Sequence, residues 1–391
     1  MSPAARLKLF YFAYYGSVGA FLPYFAPYLR GLGFSGEEIG TVQMIGPILS
    51  VPVALSWAAL SDRFGDPARA LRLATALGLA AAVFLPVARV PWAVGLVLFG
   101  QALGDRAVVP LVDSVTVEWA RARPATAYAS IRLFGSLGYV ALAQALGLAL
   151  TLRGDRPGDP LVPAAVVGCV ACCALLARRL PSPPISAERP RLREVLELFS
   201  DRPLLLFFAA CAVHWAACAP YHLLFGLRVR ELGLPASLTG LAMSVGVGAE
   251  VLALVAYPRL EPRLSVRHAL ALSFAASAVR WALLSRARAA AAVVLLQSLH
   301  GFTFGLFWGA AVAATARAVP SRLRATGQAL FAAVVFGAGN GLGYQLSGLG
   351  YDRYREVGPL YGWAALLELA AAAAALLLPL GPWANREEHL R

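Results

Sequence analysis

Run after run of about 20 apolar residues, each closed by a short polar turn, fills this chain, and that length matches the hydrocarbon core of a bilayer. Inside lipid there is no water to satisfy an open backbone, so each such run is expected to be a helix. Polar turns taken as boundaries place spans near residues 7–29, 39–60, 71–88, 92–119, 126–150, 161–180, 203–227, 237–257, 269–285, 289–313, 325–349 and 358–379. The expected fold is therefore an all-α integral membrane protein with twelve transmembrane helices. Composition agrees, since 59% of the 391 residues are hydrophobic and only 14% charged. A net charge of +13 would also suit a nucleic-acid partner, but basic residues gathered on one side of a bilayer explain the excess. No nucleic acid is expected, and the lipid bilayer is the surrounding partner.

Cytoplasmic loops carry the Lys/Arg excess, so the basic residues set the orientation. With the N terminus inside, 21 of the 34 flank inner segments and 10 flank outer loops, while Arg106, Arg132 and Arg280 lie within spans. Both termini are expected to be cytoplasmic, in a bacterial-type inner membrane. The longest connection, residues 181–202, separates an N-terminal bundle (1–180) from a C-terminal one (203–391) and is expected to hold a short amphipathic helix near Leu192–Phe199. The two halves resemble each other. A shift of 200 residues lays Leu29–Gly40 on Val229–Gly240 and pairs Arg30 with Arg230, Gly33 with Gly233, Gly46 with Gly246 and Arg63 with Arg263. Two pseudo-symmetric six-helix bundles in parallel repeat follow, an arrangement that binds its solute at the repeat interface near the midplane.

Ionisable side chains within such spans are expensive, by roughly 3 kcal/mol at the helix centre on insertion scales, and so mark functional positions. Asp113 and Arg132 flank the basic turn Arg121-Ala122-Arg123-Pro124 at a common depth of about 10 Å. Glu250, Arg280 and His300 follow on consecutive helices of the second half, the last two about 16 Å from a helix end. A carboxylate, a guanidinium and an imidazole together can relay a proton, or can form a structural ion pair with a satisfied histidine. Tyr11, Tyr14, Tyr15, Phe21, Tyr24, Phe25 and Tyr28 line the first helix, and Phe304 and Trp308 continue from His300. Aromatic faces suit a ring-bearing solute, although tyrosines near helix ends also form interfacial belts. Asn340, Tyr344 and Gln345 share a helix with Gly337, Gly339, Gly341 and Gly343, a glycine-rich run read as close helix packing rather than phosphate binding. Glu368 and the adjacent Asp105 and Arg106 are further intramembrane polar groups, the last two expected to neutralise each other in part; His214 reads as a hydrogen-bonded packing residue. The five cysteines lie in apolar segments and suggest no metal site, no cofactor is implied, and no catalytic motif supports an enzyme.

Asp62-Arg63-Phe64-Gly65 resembles the signature turn of the major facilitator superfamily, departing from it at Ala58 and at Asp66-Pro67. FLPYFAPYLRGLGFSGEEIG (Phe21–Gly40), VVPLVDSVTVEW (Val108–Trp119), IRLFGSLGY (Ile131–Tyr139), AEVLAL (Ala249–Leu254), VRW (Val279–Trp281) and LLQSLHGFTF (Leu295–Phe304) resemble its phenylpropionate permease branch. That branch is related to lactose permease and other oligosaccharide:proton symporters. The resemblance implies that Asp113 and Arg132 grip substrate and that Tyr139 stacks on it. Glu250, Arg280 and His300 match residues of the second half, and Asp62, Arg63 and Gly65 form the conformational turn. Thr303 stands where a proton-carrying carboxylate is usual, so the proton would fall to Glu250, His300 or Asp113.

The function expected is secondary transport of a small organic solute, an aromatic carboxylate or a sugar-like compound, by proton-coupled symport with alternating access. Candidate substrate-binding residues are Asp113, Arg132, Tyr139, Arg280, Tyr24, Trp308 and Asn340. Proton-driven export of a hydrophobic metabolite or drug, or a solute sensor or scaffold that does not transport, are the alternatives. A monomer is expected.

Overall fold

The computed structural model describes residues 1–121, 128–182, 198, 201–319 and 323–378. No strand occurs among the described residues. In chain order the first helices are α1 (Pro3–Phe21), α2 (Phe25–Gly31), α3 (Gly36–Phe64), α4 (Pro67–Ala82), α5 (Pro91–Asp105), α6 (Val108–Arg121), α7 (Tyr128–Leu152) and α8 (Leu161–Ala177). Then come α9 (Arg202–Glu231), α10 (Ala236–Leu260), α11 (Val266–Arg286), α12 (Ala290–Leu295), α13 (Phe307–Ala318), α14 (Arg324–Ala332), α15 (Asn340–Tyr354) and α16 (Gly358–Leu377). A 3₁₀ turn, Leu296–Leu299, and a π-helical turn, Gly301–Leu306, carry α12 into α13, and a second π turn, Ala333–Gly339, joins α14 to α15.

Nine helical stretches among the described residues are long and apolar enough to cross a membrane. Two expected spans are interrupted. The first breaks at residues 22–24, between α1 and α2, and the fourth at Arg106, where the chain turns between α5 and α6. Arg106 there pairs with Asp105 at 3.0 Å, the mutual neutralisation expected of that dipeptide. The expected linker helix near Leu192–Phe199 lies, but for Leu198, outside the described residues.

The chain forms two compact units, Met1–Ala187 with His222–Leu241 and Gln345–Arg353, and Glu188–Tyr221 with Ala242–Tyr344 and Tyr354–Arg391. The first is cored by Leu7, Phe10 and Tyr11 of α1 against Leu71, Val112, Val115 and Ile131. Phe207, Phe208, Phe274, Phe307 and Phe331 centre the core of the second.

The internal repeat is visible in backbone geometry. Gly33 (φ 94°) and Gly233 (φ 69°) both take the left-handed conformation, where a side chain is disfavoured. Each closes its helix with matching bonds: Gly33 N–H to Arg30 O and Gly233 N–H to Arg230 O at 3.0 Å, Phe34 N–H to Leu29 O at 3.2 Å and Leu234 N–H to Val229 O at 3.1 Å. Ser35 and Glu38 then form a reciprocal capping box that starts α3.

At the far end of α3, Gly65 (φ 61°) is the left-handed cap, its N–H bonded to Asp62 O at 3.2 Å. Asp66-Pro67, the departure from the signature turn, has a local reason. The Asp66 carboxylate caps Ala68 N–H at 2.9 Å and pairs with Arg72 at 3.1 Å, while Pro67 supplies the first residue of α4.

Contact between α1 and α7 positions the polar residues of the first unit. A Cβ at Gly138 would stand 2.1 Å from Phe12 O, and one at Gly19 2.3 Å from Tyr139 O, so the two backbones touch where only glycine fits. Gly138→Leu is expected to separate these helices and destabilise the protein by about 3 kcal/mol, read as a lowered thermal-unfolding midpoint in detergent.

Candidate functional site

Close approach of α1 to α7 sets Tyr11 and Tyr15 beside Asp113 of α6 and Arg132 of α7. Tyr11 donates its hydroxyl proton to Asp113 Oδ1 at 2.5 Å, and its ring lies 5.5 Å from the Arg132 guanidinium. Tyr15 covers the same guanidinium at 4.1 Å and accepts a hydrogen bond from Arg132 Nη2. The Tyr128 hydroxyl also bonds Asp113. One tyrosine thus carries both charges, the carboxylate on its hydroxyl and the guanidinium on its ring. Asp113 and Arg132 are each partly exposed, so neither is sealed from a solute.

The second unit holds the other group of expected residues. Arg280 is fully buried on α11, an arrangement that costs several kcal/mol unless the charge is supplied with acceptors. Its Nη2 donates to Gln297 Oε1 at 2.6 Å and its Nη1 to His300 Nδ1 at 3.0 Å. Its plane lies over the rings of Tyr221 (4.3 Å) and Trp281 (4.6 Å). Arg280 Nε has no partner among the described residues. A guanidinium can only donate, so Nδ1 of His300 must present its lone pair, which puts the ring proton of neutral histidine on Nε2. That nitrogen faces Glu250 Oε2 at 3.6 Å. The separation is too long for a direct hydrogen bond and short enough for attraction if the imidazole gains a proton. Glu250, His300 and Arg280 therefore stand in line, as expected of three consecutive helices, and Gln297 joins them. Gln297 was missed because a glutamine four residues before Gly301 carries no charge signal.

Gly301 lies against the Ala249 carbonyl, close enough that a Cβ would stand 2.8 Å from it, which keeps the π turn next to α10. His300, Phe304 and Trp308 stack as a column at 5.7 and 6.0 Å, Trp308 ending against Phe336. Asn340 opens α15, with its Oδ1 buried and without a partner among the described residues. Tyr139 is half-buried on α7. Tyr24 differs from the other aromatics expected to meet a ligand. It is 2% exposed, and its hydroxyl donates to Ala143 O at 2.6 Å, which ties the start of α2 to α7.

The sequence marks His214 as a packing residue and offers Glu368 no evident partner. Both are fully buried, and His214 Nδ1 meets the two Glu368 oxygens at 2.8 and 2.9 Å. The available signal was Glu368 itself, a carboxylate within the alanine-rich α16. What could not be read was its partner, 154 residues away.

Known proteins resemble this chain in sequence and in fold. A model described as the MFS_1 like family matches residues 4–359. The maltose permease of Geobacillus stearothermophilus is 28% identical over 376 residues, 95% of this chain and 93% of that one. The probable 3-phenylpropionic acid transporter of Escherichia coli (strain K12) is 30% identical over 307 residues, 76% of this chain and 78% of that one. Among solved structures, the nucleoside transporter NupG superposes with a TM-score of 0.85 at 17% identity, covering 97% of this chain and 99% of that one. A bacterial homologue of the human lysosomal transporter Spinster, in an inward-facing and unoccupied conformation, gives 0.71 at 15% identity, covering 96% and 94%. At such identities the likeness shows the fold.

The Arg280 cluster makes a prediction that needs no ligand. Gln297→Leu removes the shortest acceptor from a fully buried guanidinium and is expected to destabilise the protein by about 2 kcal/mol. The thermal-unfolding midpoint of the variant, compared with Gln297→Glu, which keeps an acceptor, checks it.

Proposed function

The chain belongs to the MFS_1 like family, a family of membrane transporters, and on that premise we propose that it takes up a small ring-bearing organic solute together with protons. The observation that carries the solute class is Arg132, a guanidinium inside an apolar helix, covered by Tyr11 and Tyr15 with Asp113 on the same tyrosine. A guanidinium binds a carboxylate in bidentate fashion, a carboxylate accepts hydroxyl protons, and tyrosine faces stack on rings. Together these groups suit an aromatic carboxylate first and a sugar-like compound second. The names of the relatives, a maltose permease and a probable 3-phenylpropionic acid transporter, fall in the same two classes.

Asp113, Arg132 and Tyr139 are proposed to contact the solute in the first unit, and Trp308 and Asn340 in the second. Arg280 holds His300 in the Nε2–H tautomer, whose ring proton faces the Glu250 carboxylate. Tyr24 serves helix packing rather than binding. Coupling is proposed to be symport by alternating access, with both termini cytoplasmic and the protein monomeric in a bacterial inner membrane.

Arg132→Ala tests the solute class. In a thermal-shift screen of aromatic acids, sugars and nucleosides, an aromatic acid such as 3-phenylpropionate is expected to stabilise the wild type. Loss of the bidentate contact should weaken it about tenfold or more in the variant, which is 1.4 kcal/mol. Stabilisation confined to neutral ligands, and equal in the variant, would contradict the anion assignment. For coupling, an imposed inward proton gradient is expected to increase uptake into proteoliposomes. Uptake that persists without any response to the gradient would remove the proton from the proposal.

A further inference from the structure

Five groups from three helices and one π turn converge on a point that none of the roles above uses. His214 and Cys218 lie one turn apart on α9, Trp281 on α11, Glu368 on α16 and the Thr303 carbonyl in the Gly301–Leu306 turn. His214, Trp281 and Glu368 are completely buried, and Cys218 is 1% exposed. The imidazole is sandwiched between Phe274 at 4.6 Å and Phe307 at 4.5 Å, so water has no access to its faces.

Partner chemistry settles where the protons are. His214 Nε2 stands 3.1 Å from Thr303 O, an acceptor only, so Nε2 must carry a hydrogen. Nδ1 meets Glu368 Oε1 and Oε2 at 2.8 and 2.9 Å, and that contact is a hydrogen bond only when one proton lies between nitrogen and carboxylate. Two further donors point at the same carboxylate, Trp281 Nε1–H at 3.4 Å and the Cys218 thiol at 3.7 Å from Oε1. One further proton is therefore shared between Nδ1 and the carboxylate, whose remaining lone pairs take the two added donors. The pair then has no net charge. Loss of that proton leaves a net negative centre that Trp281 and Cys218 can still solvate in part.

A metal ion is a poorer occupant of this place. Tetrahedral zinc ligands at about 2.1 Å from the metal stand about 3.4 Å from one another. Nδ1 and the carboxylate oxygens are closer than that and already bonded. The neighbouring titratable or charged groups are Cys218 and Tyr221 on α9, Arg280 on α11 and Tyr361 on α16.

We propose that His214 and Glu368 form a proton-binding site through which proton occupancy controls Arg280. The link is physical: the indole of Trp281 donates to Glu368 on its edge and carries the Arg280 guanidinium on its face at 4.6 Å. Proton release makes the pair net negative and attracts Arg280. That cation is also what fixes His300 Nδ1 and Gln297. Binding reverses the change: a hydronium O–H bond breaks, its proton forms an N–H bond at the Nδ1 lone pair and water is left behind, and the attraction on Arg280 falls. A residue that merely fills space would need neither a second donor nor a third on one carboxylate.

This inference rests on the proposal of proton coupling, and its test separates the two. Infrared difference spectra of the purified protein in liposomes, taken between about pH 5 and 8, report protonation with no solute present. Wild type is expected to show imidazole and carboxylate bands that are lost in Glu368→Gln and displaced in His214→Gln. Spectra of Glu368→Gln identical to wild type, in protein that remains folded by thermal unfolding, would overturn the proton site. Transport of radiolabelled 3-phenylpropionate or maltose then reads the coupling. Glu368→Gln is expected to keep counterflow, which needs no net proton movement, and to lose accumulation driven by a proton gradient. Retention of both, or loss of both in folded protein, would overturn the link to transport. If wild type itself exchanges solute without responding to the gradient, the coupling reading alone fails, and the infrared titration still decides the site.

Discussion

Taking a guanidinium out of water inside a bilayer protein is affordable only where the fold surrounds it with acceptors and aromatic faces. Arg280 meets that condition at both terminal nitrogens and on both faces: it is completely buried, held by Gln297 and His300 and sandwiched by Tyr221 and Trp281, with Nε alone left without a partner among the described residues. Much of the second unit follows from it. The 3₁₀ turn presents Gln297, the π turn that follows releases the Phe302 and Thr303 carbonyls to side-chain donors, and His300 is confined to one tautomer. Arg132 obeys the same rule in the first unit with tyrosines in place of histidine and glutamine, and its partial exposure leaves it open to a ligand.

Features that depend on neighbours in the chain were legible before any coordinates. Apolar runs became helices, Gly33 and Gly233 became matching left-handed caps, and Asp105 paired with Arg106. The polar positions also stood out, because a charge among about 20 apolar residues is conspicuous whatever it touches. Asp113, Arg132, Glu250, Arg280 and His300 were all found this way, and each unit brings its own members together. The interruptions at residues 22–24 and at Arg106 were not foreseen, since hydropathy averaged over a span is blind to a single turn within it.

Features that depend on distant pairing stayed hidden for a physical reason. Hydropathy marks Glu368 as costly but cannot say which side chain repays it, and His214 is 154 residues away. Tyr24 shows the reverse error: an aromatic row looks like a ligand face until a backbone carbonyl claims the hydroxyl, as Ala143 O does here. Gln297 is neutral, and only the burial of Arg280 beside it gives it importance. Polar residues in lipid thus identify themselves, while their roles are set by partners that three-dimensional packing supplies.

The central claim is that solute and proton move together through a protein whose buried charges are arranged for both. Proton movement can be observed as it happens, with a pH electrode in a lightly buffered suspension of proteoliposomes to which 3-phenylpropionate or maltose is added. Symport predicts alkalinisation of the medium in step with uptake and its abolition by a protonophore. Uptake of either solute with no change in external pH would contradict the account.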